Sequence, residues 1–130
     1  NMLNLNLEMY ETTEFQFKNS LAVEQSVTLK TSYELNLSYN KEHTKCIALF
    51  NIQVGEEPLE TSHLSVLLKM KGYFACDKIS PADEAAIHIE AYNQLFPFAQ
   101  SIIANFMTNA GLPPFLITKQ KICPKEVIIE

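Results

Sequence analysis

The chain has 130 residues, of which 47% are hydrophobic and 19% are charged, and its net charge at pH 7 is −5. This length predicts one domain with a sizeable core. The charged fraction lies below the roughly 25% of an average soluble domain, which favours a homo-oligomer in which a second copy covers apolar surface. The acidic balance, without a run of Lys or Arg, argues against a nucleic-acid partner and against binding to acidic membranes.

The cysteines and the hydropathy pattern predict a cytoplasmic location. Cys46, Cys76 and Cys123 are odd in number and too widely spaced for a zinc motif or a redox pair, so we expect free thiols in a reducing compartment. Residues 1–10 lack a signal-peptide pattern, and no apolar run reaches the length of a membrane span. We therefore expect no membrane insertion, and we interpret Asn1 as the remnant of an expression tag.

Period-two alternation of apolar and polar residues predicts four strands in the first half of the chain. They cover about residues 3–17, 27–39, 44–54 and 63–76. The single polar face of the second strand favours an antiparallel sheet. In the first strand, the odd-numbered residues of Leu3–Met9 share a face with Phe15 and Phe17. We expect a bend or bulge within Glu11–Glu14.

The third and fourth predicted strands carry apolar residues on both faces, which predicts that each is partly covered on both sides. The apolar residues of the second face are Ile47, Leu49, Leu67, Tyr73 and Ala75. Gly72 interrupts the fourth strand and indicates a bulge or a close approach of another element.

A helical region is predicted over residues 81–111. Ser80 is expected to cap it, Pro81 suits its first position, and Asp83 favours the positive end of the helix dipole. From Leu95 onward the apolar residues follow the i, i+3, i+4 spacing of one helix face.

Pro97 and Gly111 are the two residues expected to disturb or end a helix in this region. Pro97 lacks a backbone donor and clashes one turn back, so we expect either a kink there or a second helix that begins near Asn93. Gly111 is expected to end the helix as its C-cap. An irregular tail is predicted for residues 112–130. Within it, Val127–Ile129 either form an additional strand or fray.

Strands that precede and are segregated from helices define an α+β fold. We expect a four-stranded antiparallel sheet with one long, proline-containing helix packed on one face. The whole chain, residues 1–130, is predicted to form this single domain.

The sequence predicts neither a catalytic nor a metal site. His43, His63 and His88 lack any ligand spacing and are interpreted as three separate surface histidines. A nucleophile–base pair of Cys76 with His88 is disfavoured, because Cys76 is in phase with buried strand residues that would raise its thiol pKa. We expect no enzymatic activity, no metal ion and no cofactor.

The aromatic residues are more numerous than one sheet face and one helix can bury. Together with the apolar loop Leu21–Val23, they predict a groove for extended, unfolded client polypeptides, which such grooves hold by main-chain hydrogen bonds and side-chain pockets. The predicted client-binding residues are Phe15, Phe17, Leu21, Val23, Tyr33 and Leu35.

The helical region also contains a specific order of apolar, proline and glycine residues. It comprises Leu95, Phe96 and Pro97, then Ile103, Phe106, Gly111, Pro113 and Pro114. This order resembles the helix motif of the SecB family of protein-export chaperones. Lys71–Phe74 and Glu14–Phe17 resemble the ends of that family's fourth and first strands. The resemblance covers the chain from about Leu5 to Leu116.

The resemblance implies a non-enzymatic α+β protomer that assembles as a dimer of dimers. It further implies apolar grooves that hold unfolded precursors before they pass to the translocase motor. SecB-like relatives also serve as chaperones for antitoxins of toxin–antitoxin modules, and these relatives need no motor. An antitoxin is therefore the alternative client to an export precursor.

The sequence departs from the family pattern at several positions. Gln100 stands where the family usually has Arg, and Ile117–Cys123 replaces the start of a second helix. In the family, acidic residues of the first and fourth strands dock the motor. Glu14 matches one of them, whereas Lys18 and Leu67 stand where other acids are expected.

Two other classes of function remain compatible with the sequence. One is a small-ligand-binding module or enzyme, which would need an enclosed cavity with His88 or Cys76 at its base. The other is a structural adaptor that recognises a single folded partner.

Overall fold

The computed structural model describes residues 4–22, 25–77, 79–113 and 115–119. In chain order the elements are β1 (Leu5–Asn19), β2 (Lys30–Tyr39), β3 (Lys45–Gly55), β4 (Leu64–Cys76) and α1 (Glu84–Asn109). The strands form one antiparallel sheet in the order β1-β4-β3-β2. The predicted α+β class, with a four-stranded sheet and one long helix on one face, is confirmed.

The strand bounds differ from the predicted ones where a pairing partner starts or stops. β1 continues to Asn19 because β4 still pairs with it there through Leu64. β2 begins at Lys30, not at residue 27, because its partner strand ends at Gly55. The predicted tail strand Val127–Ile129, Cys123 and Asn1 lie outside the described residues.

β1 contains two register shifts rather than the one that the sequence predicts. The shift between Thr12 and Glu14 confirms the expected bulge. The other, between Leu7 and Met9, turns Met9 away from the helix and leaves it 51% exposed. The prediction that Met9 shares a face with Leu7 is therefore wrong, because an extra residue in one strand reverses the alternation beyond it.

The core lies between α1 and one face of the sheet. The helix contributes one buried stripe at four-residue spacing: Ile87, Ala91, Leu95, Ala99, Ile103 and Met107. The facing buried residues of β3 and β4 are Cys46, Ala48, Phe50, Ile52, Val54, Leu64, Val66, Leu68, Met70 and Phe74. The alternating apolar residues of the strands and the regularly spaced apolar residues of α1 thus pack together in one apolar layer.

Gly72 marks the closest approach of helix and sheet. A Cβ atom at this position would lie 2.9 Å from Leu95 Cδ2 and 3.1 Å from Leu95 Cδ1. Its register partner on β3 is Ala48, which is also small and fully buried. The close approach predicted at Gly72 is confirmed, because the pair of small residues makes room for the Leu95 side chain.

The helix is continuous through Pro97. The expected alternative of a second helix that begins near Asn93 is therefore wrong. Pro97 is exposed, so the carbonyl that loses its partner one turn earlier lies on the hydrated side of the helix.

The two ends of the helical region are built differently. Ser80 precedes a 3-10 turn, Pro81–Asp83, but its hydroxyl donates to Asp83 Oδ2 at 2.9 Å instead of capping a backbone N–H. The predicted Ser80 cap is therefore wrong. At the other end, Gly111 has φ 82° and Leu112 N donates to Met107 O at 3.0 Å. This left-handed C-cap confirms the prediction for Gly111.

The second face of the sheet is open within the described chain. Leu49 is 46% exposed there, and Ile47, Leu67, Tyr73 and Ala75 are half-buried. The prediction that β3 and β4 are covered on both faces is wrong for the described residues, because α1, the long helix among them, covers one face only.

In the part of the chain that the structure describes, no helix is both long enough and apolar enough to cross a membrane.

Candidate peptide-binding surface

Two further lines of side chains flank the buried stripe of α1, and each faces one edge strand of the sheet. His88, Tyr92, Phe96 and Gln100 are spaced four apart and lie on the β2 side. The line on the β1 side contains Gln94, Phe98 and Phe106, and Gln94 Nε2 donates to Leu5 O at 2.9 Å. A four-residue spacing returns to nearly the same helix face, so a single helix places one surface against each edge strand.

Tyr33 is the centre of an aromatic cluster on the β2 side. Its ring centroid lies 6.2 Å from that of Phe50, 6.1 Å from that of Tyr92 and 6.2 Å from that of Phe96. The last three rings are buried, whereas Tyr33 is half-buried. Tyr33 therefore forms the accessible rim of an aromatic wall, as expected of a ring with an apolar body and a polar tip.

The hydroxyl of Tyr33 is a hydrogen-bond donor to the chain that follows the helix. Tyr33 Oη donates to Thr118 O at 2.5 Å. Burial raises the pKa of Tyr33 to about 12, with a smaller contribution from Tyr92. The phenol is therefore protonated at neutral pH and available to donate to a carbonyl.

Gln100 supplies a second donor on the same side of the helix. Gln100 Nε2 donates to Ile117 O at 2.9 Å, and Ile117 is only 1% exposed although the flanking Leu116 is 63% exposed. We use the name β2 cleft for the surface formed by Tyr33, Tyr92, Phe96 and Gln100. The segment Phe115–Lys119 lies in this cleft.

A second apolar surface, the β1 aromatic row, lies on the opposite side of α1. The ring of Phe106 lies 4.5 Å from that of Phe15 and 4.8 Å from that of Phe17. Farther along, Tyr10 stacks on Phe98 at 4.5 Å, and the two residues are 38% and 39% exposed. The most exposed aromatic pair therefore lies beside the free edge of β1.

The structure places the five described residues of the predicted client-binding set in separate regions. Phe15 and Phe17 belong to the β1 aromatic row. Tyr33 and Leu35 both point to the helix side of β2, where they pair in register with Ile52 and Phe50. Leu21 packs at the edge of the core, and Val23 lies outside the described residues. Among the described residues, α1 therefore separates Phe15 and Phe17 from Tyr33 and Leu35.

Sequence reasoning missed the helix contribution to the β2 cleft. Tyr92, Phe96 and Gln100 were detectable as a line of side chains at four-residue spacing, displaced by one position from the core stripe. The motif residues Leu95 and Phe96 are both buried, while Pro97 and Pro113 are exposed. Pro114 lies outside the described residues.

Glu14, the predicted partner-docking residue, lies on the open face of the sheet. Its carboxylate pairs with Lys69 Nζ at 3.7 Å and accepts a hydrogen bond from Gln16. Lys18 and Leu67 belong to the same face. This surface therefore mixes charges of both signs with apolar side chains.

The three histidines do not share an environment. His43 lies in the β2–β3 turn, and His63 pairs with Glu56 at 3.2 Å between Nδ1 and Oε2. His88 is 6% exposed, and its Nδ1 has no hydrogen-bond partner. The prediction that His88 is a surface residue is wrong, because it continues the buried line of Tyr92 and Phe96.

Burial lowers the pKa of His88 below its ordinary value of 6.5. The unfolded chain then binds a proton more readily than the folded one, so the free energy of unfolding is expected to fall as pH drops from 7.5 to about 5.5. We expect His88→Gln to flatten this dependence in urea titrations at several pH values. His43→Asn, a substitution suited to the positive φ of 57° at that position, should retain it. An unchanged slope in His88→Gln would contradict the assignment.

Cys46 and Cys76 do not have the environment of a nucleophile. Burial raises the pKa of Cys46 to about 12, and it also raises that of Cys76. Among the described residues, no cluster of His, Cys, Asp and Glu could hold a metal ion. Depressions of about 450, 260 and 360 Å³ lie on the open side of the sheet, and neither His88 nor Cys76 lines any of them.

The fold matches that of the Mycobacterium tuberculosis Rv1957 SecB-like chaperone, solved in complex with a ChAD peptide from the Rv1956 HigA1 antitoxin. The match covers 89% of this chain and 90% of that chain, with a TM-score of 0.72 and 10% sequence identity. No protein-family model and no curated protein matches the sequence. The fold that the resemblance implies is therefore confirmed.

Proposed function

We propose that this chain is an ATP-independent, SecB-like chaperone that holds extended segments of unfolded polypeptides in the cytoplasm. The observation that carries the proposal is the SecB-like fold over 89% of the chain, shared with a chaperone solved with a bound antitoxin peptide. The proposal includes no catalytic step, no metal ion and no cofactor. The raised thiol pKa values of Cys46 and Cys76 agree with this, since the thiolate is the reactive form.

The β2 cleft has the chemistry that such a function needs. It combines an aromatic wall with two side-chain donors that bind backbone carbonyls. Every peptide has backbone carbonyls, so these donors can bind a chain whatever its sequence. The apolar wall favours unfolded segments, because they expose apolar side chains. Burial of one client Leu or Ile contributes about 1.5–3 kcal/mol before the cost of ordering the peptide is subtracted.

We propose an antitoxin segment as the client in preference to export precursors. The matching chaperone was solved with a peptide from an antitoxin. Delivery to a translocase motor would need an acidic docking face, whereas Glu14 here is paired with Lys69 and shares its face of the sheet with Lys18. A dominant antitoxin recovered with the chain from its host would support this client, and a broad set of precursors would favour export.

We further propose that the chain forms a homo-oligomer, a dimer or a tetramer, through the outer side of α1. Residues 91–118 contain no charged side chain. Within this stretch Phe98, Ser101, Asn105 and Thr108 are exposed. Interface cores are depleted of charged residues, so an uncharged outer helix face fits contact with a second copy.

The test of chaperone function is suppression of aggregation together with peptide binding. Full-length protein in several-fold excess is expected to suppress light scattering by a guanidine-denatured test protein. Leu35 lies on the helix side of β2 next to Tyr33 of the cleft. Leu35→Ser should therefore weaken binding of a fluorescein-labelled, extended apolar peptide about tenfold, the loss of about 1.4 kcal/mol of apolar contact. Fluorescence anisotropy measures the affinity, and circular dichroism verifies the fold of the variant.

Leu49→Ser is the matched control on the opposite face of the sheet. Leu49 is 46% exposed and lies next to Phe50, the register partner of Leu35. This variant is expected to bind the peptide as the unaltered chain does. Weaker binding in Leu49→Ser alone would move the client site to the open face, and no suppression of scattering would argue against a chaperone.

A further inference from the structure

The chain after α1 returns to the helix side of the sheet instead of leaving the protein. The C-cap at Gly111 reverses its direction, and Phe115–Lys119 then reaches the middle of the helix at Gln100. In this segment the exposed fraction alternates sharply, since Leu116 is 63% exposed and Ile117 is 1% exposed. We call Phe115–Lys119 the strap.

Two side chains of the β2 cleft hold the strap by its carbonyl groups. Gln100 Nε2 donates to Ile117 O at 2.9 Å, and Tyr33 Oη donates to Thr118 O at 2.5 Å. No backbone–backbone hydrogen bond outside the helix and strand ladders involves the strap among the described residues. It is therefore held as a separate peptide would be held, by the side chains of the buried Ile117 and the half-buried Phe115 and by two successive carbonyls.

We propose that the strap is an internal ligand of the β2 cleft, which a client must displace, and that it defines the class of client. This inference rests on the proposed function. The preferred client is an extended segment with one aliphatic β-branched residue between exposed neighbours. The carbonyl of that residue and the carbonyl that follows it accept from Gln100 and Tyr33.

The strap is suited to displacement because side-chain contacts hold it, namely the two donors to its carbonyls and the packing of Phe115 and Ile117 against the core. Its bonds are side chain to main chain, so they can be exchanged one for one with the carbonyls of another chain. An intramolecular segment competes at high effective concentration. Weakening the strap should therefore raise the apparent affinity of the cleft for peptides added from solution.

The experiment uses a fluorescein-labelled peptide with the sequence of residues 112–119, titrated by anisotropy with the full chain. Ile117→Ser in the protein is expected to bind it at least tenfold more tightly than the unaltered chain does, because the internal competitor is weakened. Leu116→Ser, which changes the exposed neighbour, should stay within about twofold of the unaltered chain. Equal affinities for all three proteins would overturn the proposal.

A second comparison needs no protein variant and therefore no assumption about folding. Serine at the position of Ile117 in the labelled peptide should reduce binding to the unaltered chain at least tenfold, whereas serine at the position of Leu116 should not. Equal binding of both peptides, or binding of neither parent nor altered peptide, would overturn the proposal.

These outcomes separate this inference from the proposed function. If the peptide binds with the expected preference but denatured proteins still aggregate, the internal ligand stands and the chaperone function falls. If denatured proteins are held but the peptide neither binds nor competes with them, the chaperone function stands and the internal ligand falls.

Discussion

Leu95→Ala is expected to lower the free energy of unfolding by about 2–5 kcal/mol, the range for a buried leucine that leaves a cavity. Leu95 is fully buried and packs where α1 comes nearest to the sheet, above Gly72. Neighbouring residues cannot collapse into the space easily, because both sheet positions beneath it, Gly72 and Ala48, are small. Urea unfolding followed by circular dichroism gives the change.

The reciprocal substitution tests the same contact from the sheet. Gly72→Val is expected to cost about 1–3 kcal/mol, because its Cβ alone would lie 2.9 Å from Leu95 Cδ2. In the Leu95→Ala background this cost should fall, since the added methyl groups occupy the space that Leu95 leaves, while the approach to Phe74 Cε2 at 3.1 Å remains. The double-mutant cycle measures the coupling directly.

Ala75→Val is the control for the effect of a β-branched residue in the same strand. Ala75 lies on the open face of β4 and is half-buried, so its substitution should change the free energy of unfolding by less than about 0.5 kcal/mol. Additive costs for Gly72→Val and Leu95→Ala would contradict the close approach as the reason for glycine at this position.

Ser101→Glu is expected to convert the proposed oligomer into smaller species. Ser101 is exposed on the outer side of α1, within the uncharged stretch 91–118. In a two-fold interface each copy would bring its added carboxylate to the same contact, where desolvation and repulsion oppose association. The solution mass at micromolar concentration should fall by a factor of about two or more, as measured by light scattering coupled to size exclusion.

Ala86→Glu is the matched control on the same helix. Ala86 is exposed near the helix N-terminus and outside the uncharged stretch, where an added carboxylate agrees with the helix dipole. Its mass should equal that of the unaltered chain. A fall in mass for Ala86→Glu alone, or an unaltered chain that is monomeric at micromolar concentration, would remove α1 as the interface.

The aromatic residues show how far the sequence predicts the candidate site. Tyr33 and Leu35 are correctly placed on the inner face of β2, because alternation fixes the face wherever one side of a strand is buried. Phe15 and Phe17 were grouped with them, but α1 lies between the two pairs. A strand pattern specifies a face and not a lateral position, so it does not reveal that a helix divides the surface.

For His88 and Met9, the sequence predicts the wrong solvent exposure. His88 looks like a surface residue by type, yet it lies in a line with Tyr92 and Phe96 that faces β2. Met9 follows the alternation of Leu7, yet a register shift turns it outward. The exposure of both residues depends on how their helix or strand packs against the neighbouring element. A window of adjacent residues contains no information about that packing.

The sequence by itself determined the four strands, the antiparallel class, the long helix and its glycine end, because period, capping and turn chemistry act between residues close in the chain. Only the tertiary structure decided that Gly72 receives Leu95, and that residues 115–119 return to Tyr33 and Gln100. Those contacts join positions up to 85 residues apart. Their formation depends on the packed geometry of sheet and helix, where shape and donor position decide which distant groups meet.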